Sequence, residues 1–121
     1  MLAFSTGNGK LAKDTLIFDL PAGKTCPGAL LCKSFAVVGD DGKRRIVDGD
    51  KTQFRCFAAS SEVQYDAVYE KRAQNLSMIV NSLQTNSAAD LIHDSIKHHR
   101  TRKTAKIRIH SAGGFFLWFL P

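Results

Sequence analysis

Residues 61–83, Ser-Glu-Val-Gln-Tyr-Asp-Ala-Val-Tyr-Glu-Lys-Arg-Ala-Gln-Asn-Leu-Ser-Met-Ile-Val-Asn-Ser-Leu, decide the fold class. Tyr65, Val68, Tyr69, Leu76, Ile79, Val80 and Leu83 fall on three- and four-residue steps. That period lays an apolar stripe along a helix of about six turns. Ser61 with Gln64 has the form of a capping box, which satisfies two orphan backbone donors at a helix start. Asn86 closes this element or opens the next. Ser87 with Asp90 repeats the box, and Leu91, Ile92, Ser95 and Ile96 predict a second, shorter helix.

Outward from the helices, both flanks read as strands. Thr15–Leu20 is an apolar run closed by Pro21 and Gly23. Ser34–Val38 and Lys43–Asp48 bracket Gly39-Asp40-Asp41-Gly42, the pattern of a β-hairpin. Gly7-Asn8-Gly9-Lys10 is a turn signal, and Cys26-Pro27-Gly28 starts a loop or a short helical turn. After the basic link His98–Lys103, Lys106-Ile107-Arg108-Ile109-His110 alternates polar and apolar, as a strand does. Strands before and after two helices predict an α/β or α+β arrangement.

A length of 121 residues accommodates one domain with a real core. No apolar run approaches the roughly 20 residues that span a bilayer, and the first residues lack the basic-then-apolar form of a secretory signal. The expected setting is the cytoplasm of a bacterial host, without membrane attachment. The net charge is +6, and its placement is uneven. Up to Asp94 the acids and bases cancel. Beyond it come Lys97, Arg100, Arg102, Lys103, Lys106 and Arg108 with no acid at all. A uniformly basic, histone-like protein is thereby excluded.

Six cations in so short a segment suit a nucleic acid or another acidic partner, because each could neutralise a phosphate. No aromatic residue lies among them to stack on bases, and no recognition motif surrounds them. His98 and His99 inside this run are expected to be solvated.

The three cysteines are Cys26, Cys32 and Cys56. An odd number precludes full pairing within one chain, and the absence of an export signal favours a reducing compartment. Thiolates are soft ligands for zinc or an iron–sulfur cluster, so these three are the candidate metal ligands. The other readings are buried small hydrophobes, or a reactive Cys56 beside Arg55. Gly7-Asn8-Gly9-Lys10 lacks the spacing and the Ser/Thr of a phosphate loop. No Ser/His/Asp set or carboxylate pair points to a catalytic constellation, so whether the chain is an enzyme stays open.

Certain strings are distinctive. They are Phe18-Asp19-Leu20-Pro21-Ala22-Gly23-Lys24-Thr25-Cys26-Pro27-Gly28-Ala29, then Cys32, then Thr52-Gln53-Phe54-Arg55-Cys56-Phe57-Ala58-Ala59-Ser60-Ser61-Glu62. With Phe4-Ser5-Thr6-Gly7-Asn8-Gly9-Lys10-Leu11 and Arg108-Ile109-His110-Ser111-Ala112-Gly113, they resemble the bacteriophage gene product 88 family, found in phages and prophages. The resemblance spans nearly the whole chain and carries no established activity. It implies a longer chain, continuing past the Arg-Ile-His-Ser strand, and an Asp where this chain has Gly114. It therefore implies that the chain is an N-terminal fragment of a larger α/β fold. The order Cys-Pro, Cys, Cys-aromatic-Ala is also similar to the cluster-binding region of some phage-encoded radical-SAM-like proteins. Their three cysteines hold a four-iron cluster at closer spacing than Cys26, Cys32 and Cys56.

The run Phe115-Phe116-Leu117-Trp118-Phe119-Leu120-Pro121 is too apolar to lie exposed without an aggregation hazard. It reads as a buried terminal strand, an oligomer contact or the edge of a truncated gene. The expectation is a phage-type protein with a cysteine-ligated metal or iron–sulfur site. The alternatives are a binding module that uses residues 97–108, or an inactive remnant.

Overall fold

A computed structural model describes residues 1–7, 12–26 and 29–109. Most of the expected turn at residues 7–10, Pro27-Gly28, the last residue of the final strand and the tail 115–121 lie outside the described residues. The fold is mixed α/β. Its order is β1 (Ser5–Thr6), β2 (Thr15–Phe18), β3 (Ser34–Val38), β4 (Arg44–Asp48), α1 (Phe57–Gln64), α2 (Asp66–Gln84), α3 (Ala88–His99) and β5 (Lys106–Ile109). The chain divides into two compact units. One gathers Met1–Asp19 with the chain from Arg72 through β5, the other Leu20–Lys71.

The first unit is built on a three-stranded sheet of order β1-β2-β5. β1 pairs antiparallel with β2, and β5 pairs parallel with it, Thr15 opposite Lys106 and Phe18 opposite Ile109. The central strand is buried at every position, which explains its unbroken Leu16-Ile17-Phe18 run. Each of these side chains contributes about 2 kcal/mol by leaving water.

Polar side chains fasten this unit. Asn75 of α2 is 1% exposed. Its Oδ1 accepts the Ala3 N–H at 2.7 Å, and its Nδ2 donates to the carbonyls of Ala3 at 2.9 Å and Asp19 at 3.2 Å. One turn earlier on α2, Arg72 pairs with Asp19 at 3.7 Å. From α3, Ser95 Oγ accepts the Leu2 N–H at 2.9 Å, and His99 Nε2 donates to the Leu2 carbonyl at 2.8 Å. The N-terminal segment is thus held at four backbone groups, the N–H and carbonyl of both Leu2 and Ala3, by two helices. His99 is accordingly half-buried against Phe4, not solvated as the sequence suggested; His98 is exposed.

The second unit packs α1 on the β3–β4 hairpin. The hairpin has the expected turn: Gly42, at φ +79°, donates its N–H to the Gly39 carbonyl, and Gly39 donates to Lys43. Residues 20–25 run so close to β3 that a Cβ on Gly23 would lie 2.3 Å from the Ser34 carbonyl oxygen. Gly23 also takes φ +78°, so the position requires glycine on two counts. The buried Glu62 of α1 accepts the Ala22 N–H at 2.9 Å and holds the same loop. Arg44 closes the C-terminus of α1 through the carbonyls of Glu62 at 2.9 Å and Val63 at 3.2 Å, and pairs with Asp66.

The helices differ from expectation at their starts. The expected long helix is two, separated at Tyr65, whose φ −121° and ψ 118° are extended. Ser61 lies inside α1, where its hydroxyl donates to the Phe57 carbonyl at 3.3 Å. The cap position belongs to Cys56, which makes no side-chain cap bond. Ser87 does precede α3, but its hydroxyl contacts the Thr85 hydroxyl at 2.7 Å instead of capping.

Candidate functional site

The basic segment begins at the end of α3. Lys97 lies in the last turn, and Arg100 is the C-cap, its N–H donating to the Ile96 carbonyl at 2.9 Å. His93, Ile96, Lys97 and Arg100 share one face, at the i, i+3, i+4 and i+7 positions, and line an open hollow of about 280 Å³. The chain then turns. Thr104 N–H donates to the Thr101 carbonyl, Thr101 N–H to Thr104 Oγ1, and Lys103 N–H to Thr101 Oγ1, each within 3.2 Å. Arg102 and Lys103 project from this tied turn. Ala105 and Lys106 donate to the Asp14 carbonyl and lead into β5, whose four residues are all exposed. Strand alternation sets Lys106 and Arg108 on one side and Ile107 and Ile109 on the other.

The arginines of this segment stand apart from those before it, whereas exposed lysines elsewhere, such as Lys24 and Lys51, also have no carboxylate partner among the described residues. Every arginine before the segment is matched: Arg44 with Asp66, Arg45 with Asp41, Arg55 with Asp48 and Arg72 with Asp19. Lys97, Arg100, Arg102, Lys103, Lys106 and Arg108 are all exposed, and among the described residues none has a carboxylate partner. The nearby Asp94 contacts His93 at 3.2 Å. The segment brings together one helix end, one turn and one edge strand, all within the first unit. Neither His93 nor Ile96 was expected in the site from sequence, where Ile96 served only to predict the helix. Their spacing to Lys97 and Arg100 is the signal that places them on the same helix face.

The cysteines lie in the second unit. Cys26 follows the Gly23 turn, Cys32 precedes β3, and Cys56 caps α1; all three are free and half-buried. Their segments are laced together. Lys33 Nζ donates to the Cys26 carbonyl at 3.2 Å, the Leu31 carbonyl accepts from Gln53 and Phe54, and Cys56 N–H donates to Ser34 Oγ at 3.4 Å. The thiols themselves do not converge: among the described residues no three His, Cys, Asp or Glu side chains are gathered to hold a metal ion. As placed here, Cys26, Cys32 and Cys56 do not fit a shared zinc or cluster. No helix among the described residues is long and apolar enough to cross a membrane.

A family profile described as gene product 88 matches residues 2–117. The chain belongs to the gene product 88 family. The match takes in both units, the cysteine segments and the whole basic segment. No curated protein and no solved structure matches the chain. Family membership marks the chain as a phage gene product and leaves its activity to be argued from the residues.

Proposed function

We propose that this gene product 88 protein binds nucleic acid through Lys97, Arg100, Arg102, Lys103, Lys106 and Arg108. One observation carries the reading: the arginines elsewhere in the chain have carboxylate partners, whereas Arg100, Arg102 and Arg108 have none among the described residues and are gathered with three exposed lysines in a stretch without an acid. Like charges so close repel one another, and an external polyanion relieves that repulsion while releasing its own counterions. The exposed Ile107 and Ile109 lie on the other side of β5 from Lys106 and Arg108, so a partner that meets the cations there meets charge alone, which favours nucleic acid over an acidic protein. Such a partner suits the cytoplasm of a bacterial host. Fluorescence anisotropy against labelled DNA tests the reading. Affinity should fall steeply with salt, with a log–log slope of magnitude about 4–5 if most of the cations meet phosphates. Replacing Lys106 and Arg108 by Gln should reduce that slope by about 2. No binding at low salt would sink the proposal.

A second reading keeps Cys26, Cys32 and Cys56 as ligands of zinc or an iron–sulfur cluster. Its support is the lacing of the three cysteine segments and the presence of three free thiols in one unit. It requires rearrangement of these loops around the ion, since the described arrangement gathers no such group. Anaerobic purification followed by metal analysis checks it. Stoichiometric iron or zinc, lost in Cys56→Ser, is the expected result; metal-free protein ends this reading.

A further inference from the structure

Resting on the nucleic-acid reading above, we infer that the bound form is a duplex, held through its phosphates without readout of its bases.

The first argument concerns stacking. Proteins that hold single strands without sequence preference gain much of their affinity from aromatic side chains that stack on the bases. From Lys97 to Ile109 there is no Phe, Tyr or Trp. Phe4, the ring against His99 at the end of α3, is already engaged edge-on, with ring centres 5.7 Å from Phe18 and 5.1 Å from His99. The His98 ring meets His99 edge-on at 5.0 Å.

The second argument concerns the grooves. Recognition helices lead with their N-terminal residues into the major groove. α3 carries Asp90 in its first turn and Asp94 beyond it, and its cations lie only at the other end. Phosphates repel that leading end, so α3 meets the backbone with its C-terminal turn and reaches no base edge.

The third argument is rigidity. Lys97 and Arg100 are separated by about 4.5 Å along the helix axis. Lys106 and Arg108 are about 6.6 Å apart along β5. The turn between these pairs is tied by three hydrogen bonds of Thr101, Lys103 and Thr104. A backbone fixed in this way presents its cations from set positions, so meeting the fixed phosphate array of a duplex orders only their side chains. A flexible single strand must lose conformational freedom to fit the same positions.

The experiment is competition anisotropy on the full chain. A short duplex, its two separate strands, a duplex of scrambled sequence and polyglutamate each displace a labelled duplex at low salt. Both duplexes should compete within about twofold of one another and roughly tenfold better than either strand, and polyglutamate should compete weakly. Lys97→Gln with Arg100→Gln, and Lys106→Gln with Arg108→Gln, should each weaken both duplexes equally. Single strands competing as well as the duplex overturn this inference and leave nucleic-acid binding standing. Polyglutamate competing as well as the duplex replaces the partner by an acidic protein. Strong preference between the two duplexes overturns the absence of base readout. No binding of any labelled nucleic acid removes this inference together with the reading beneath it.

Discussion

At the scale of single residues, the buried polar side chains organise the first unit. Asn75 meets a complete set of backbone partners: one N–H and two carbonyls face its amide. Replacing it by Ala leaves these groups without a partner in a place with little access to water. The expected loss is about 2–4 kcal/mol of unfolding free energy, read from a urea titration. Asn75→Asp should not rescue stability at neutral pH, because its second oxygen would face the Ala3 and Asp19 carbonyls where Nδ2 now donates. Rescue by that variant would show that the two carbonyl contacts carry no weight. Asn75 was invisible to a reading based on apolar periodicity, which looks for Leu and Ile on the inner face. The buried line of α2 is Asn75, Ile79 and Ser82, one position off the apolar line Leu76, Val80 and Leu83, which is half-buried. At Asn75 the buried line is polar because backbone groups of Ala3 and Asp19 lie opposite it, whereas the Ser82 hydroxyl donates to the Ile79 carbonyl of its own helix at 2.8 Å.

At the scale of elements, what was legible depended on whether the signal was local. The β3–β4 hairpin was readable because Gly39 to Gly42 dictates its own turn, and the register from Ser34–Asp48 to Val38–Arg44 follows from that turn. β2 was readable because a central strand is apolar on both faces. The helix starts were not. A capping box predicts a start only if the backbone is extended at the Ser, and at Ser61 it is already helical, since α1 begins at Phe57. The break falls at Tyr65 instead. There Arg44, from a distant strand, occupies the last carbonyls of α1 and pairs with Asp66 at the start of α2. That contact is tertiary and leaves no trace in the local pattern. β1 escaped notice because two residues are too few for periodicity. For the site, the basic segment was legible as charge, and its division among helix end, turn and strand followed from the element boundaries. What could not be read was that all six cations lack carboxylate partners among the described residues, which depends on where the acids of the rest of the chain are used.

At the scale of the whole molecule, the +6 charge separates two roles that one stretch of chain can serve. Cations that hold a fold are matched within it, as Arg72 is by Asp19 and Arg44 by Asp66. Cations that serve an external partner, those at a helix end such as Lys97 aside, add little to the fold and burden it with mutual repulsion. The two roles predict opposite responses to neutralisation. A variant with Arg102, Lys103, Lys106 and Arg108 all replaced by Gln should keep its unfolding free energy within about 0.5 kcal/mol, as exposed and unpartnered positions do. Relief of repulsion favours a small gain at low salt, fading as salt screens it. Lys97 is left out because its position in the last turn of α3 complements the helix dipole, so its loss costs about 0.3–1 kcal/mol for reasons unrelated to a partner. Arg72→Gln, by contrast, breaks a largely buried pair and should cost more than the fourfold variant despite removing one charge. Urea midpoints at unchanged slope make the comparison direct. A loss above about 1 kcal/mol in the fourfold variant would assign the basic segment to the fold and remove the argument that its charges are free for nucleic acid.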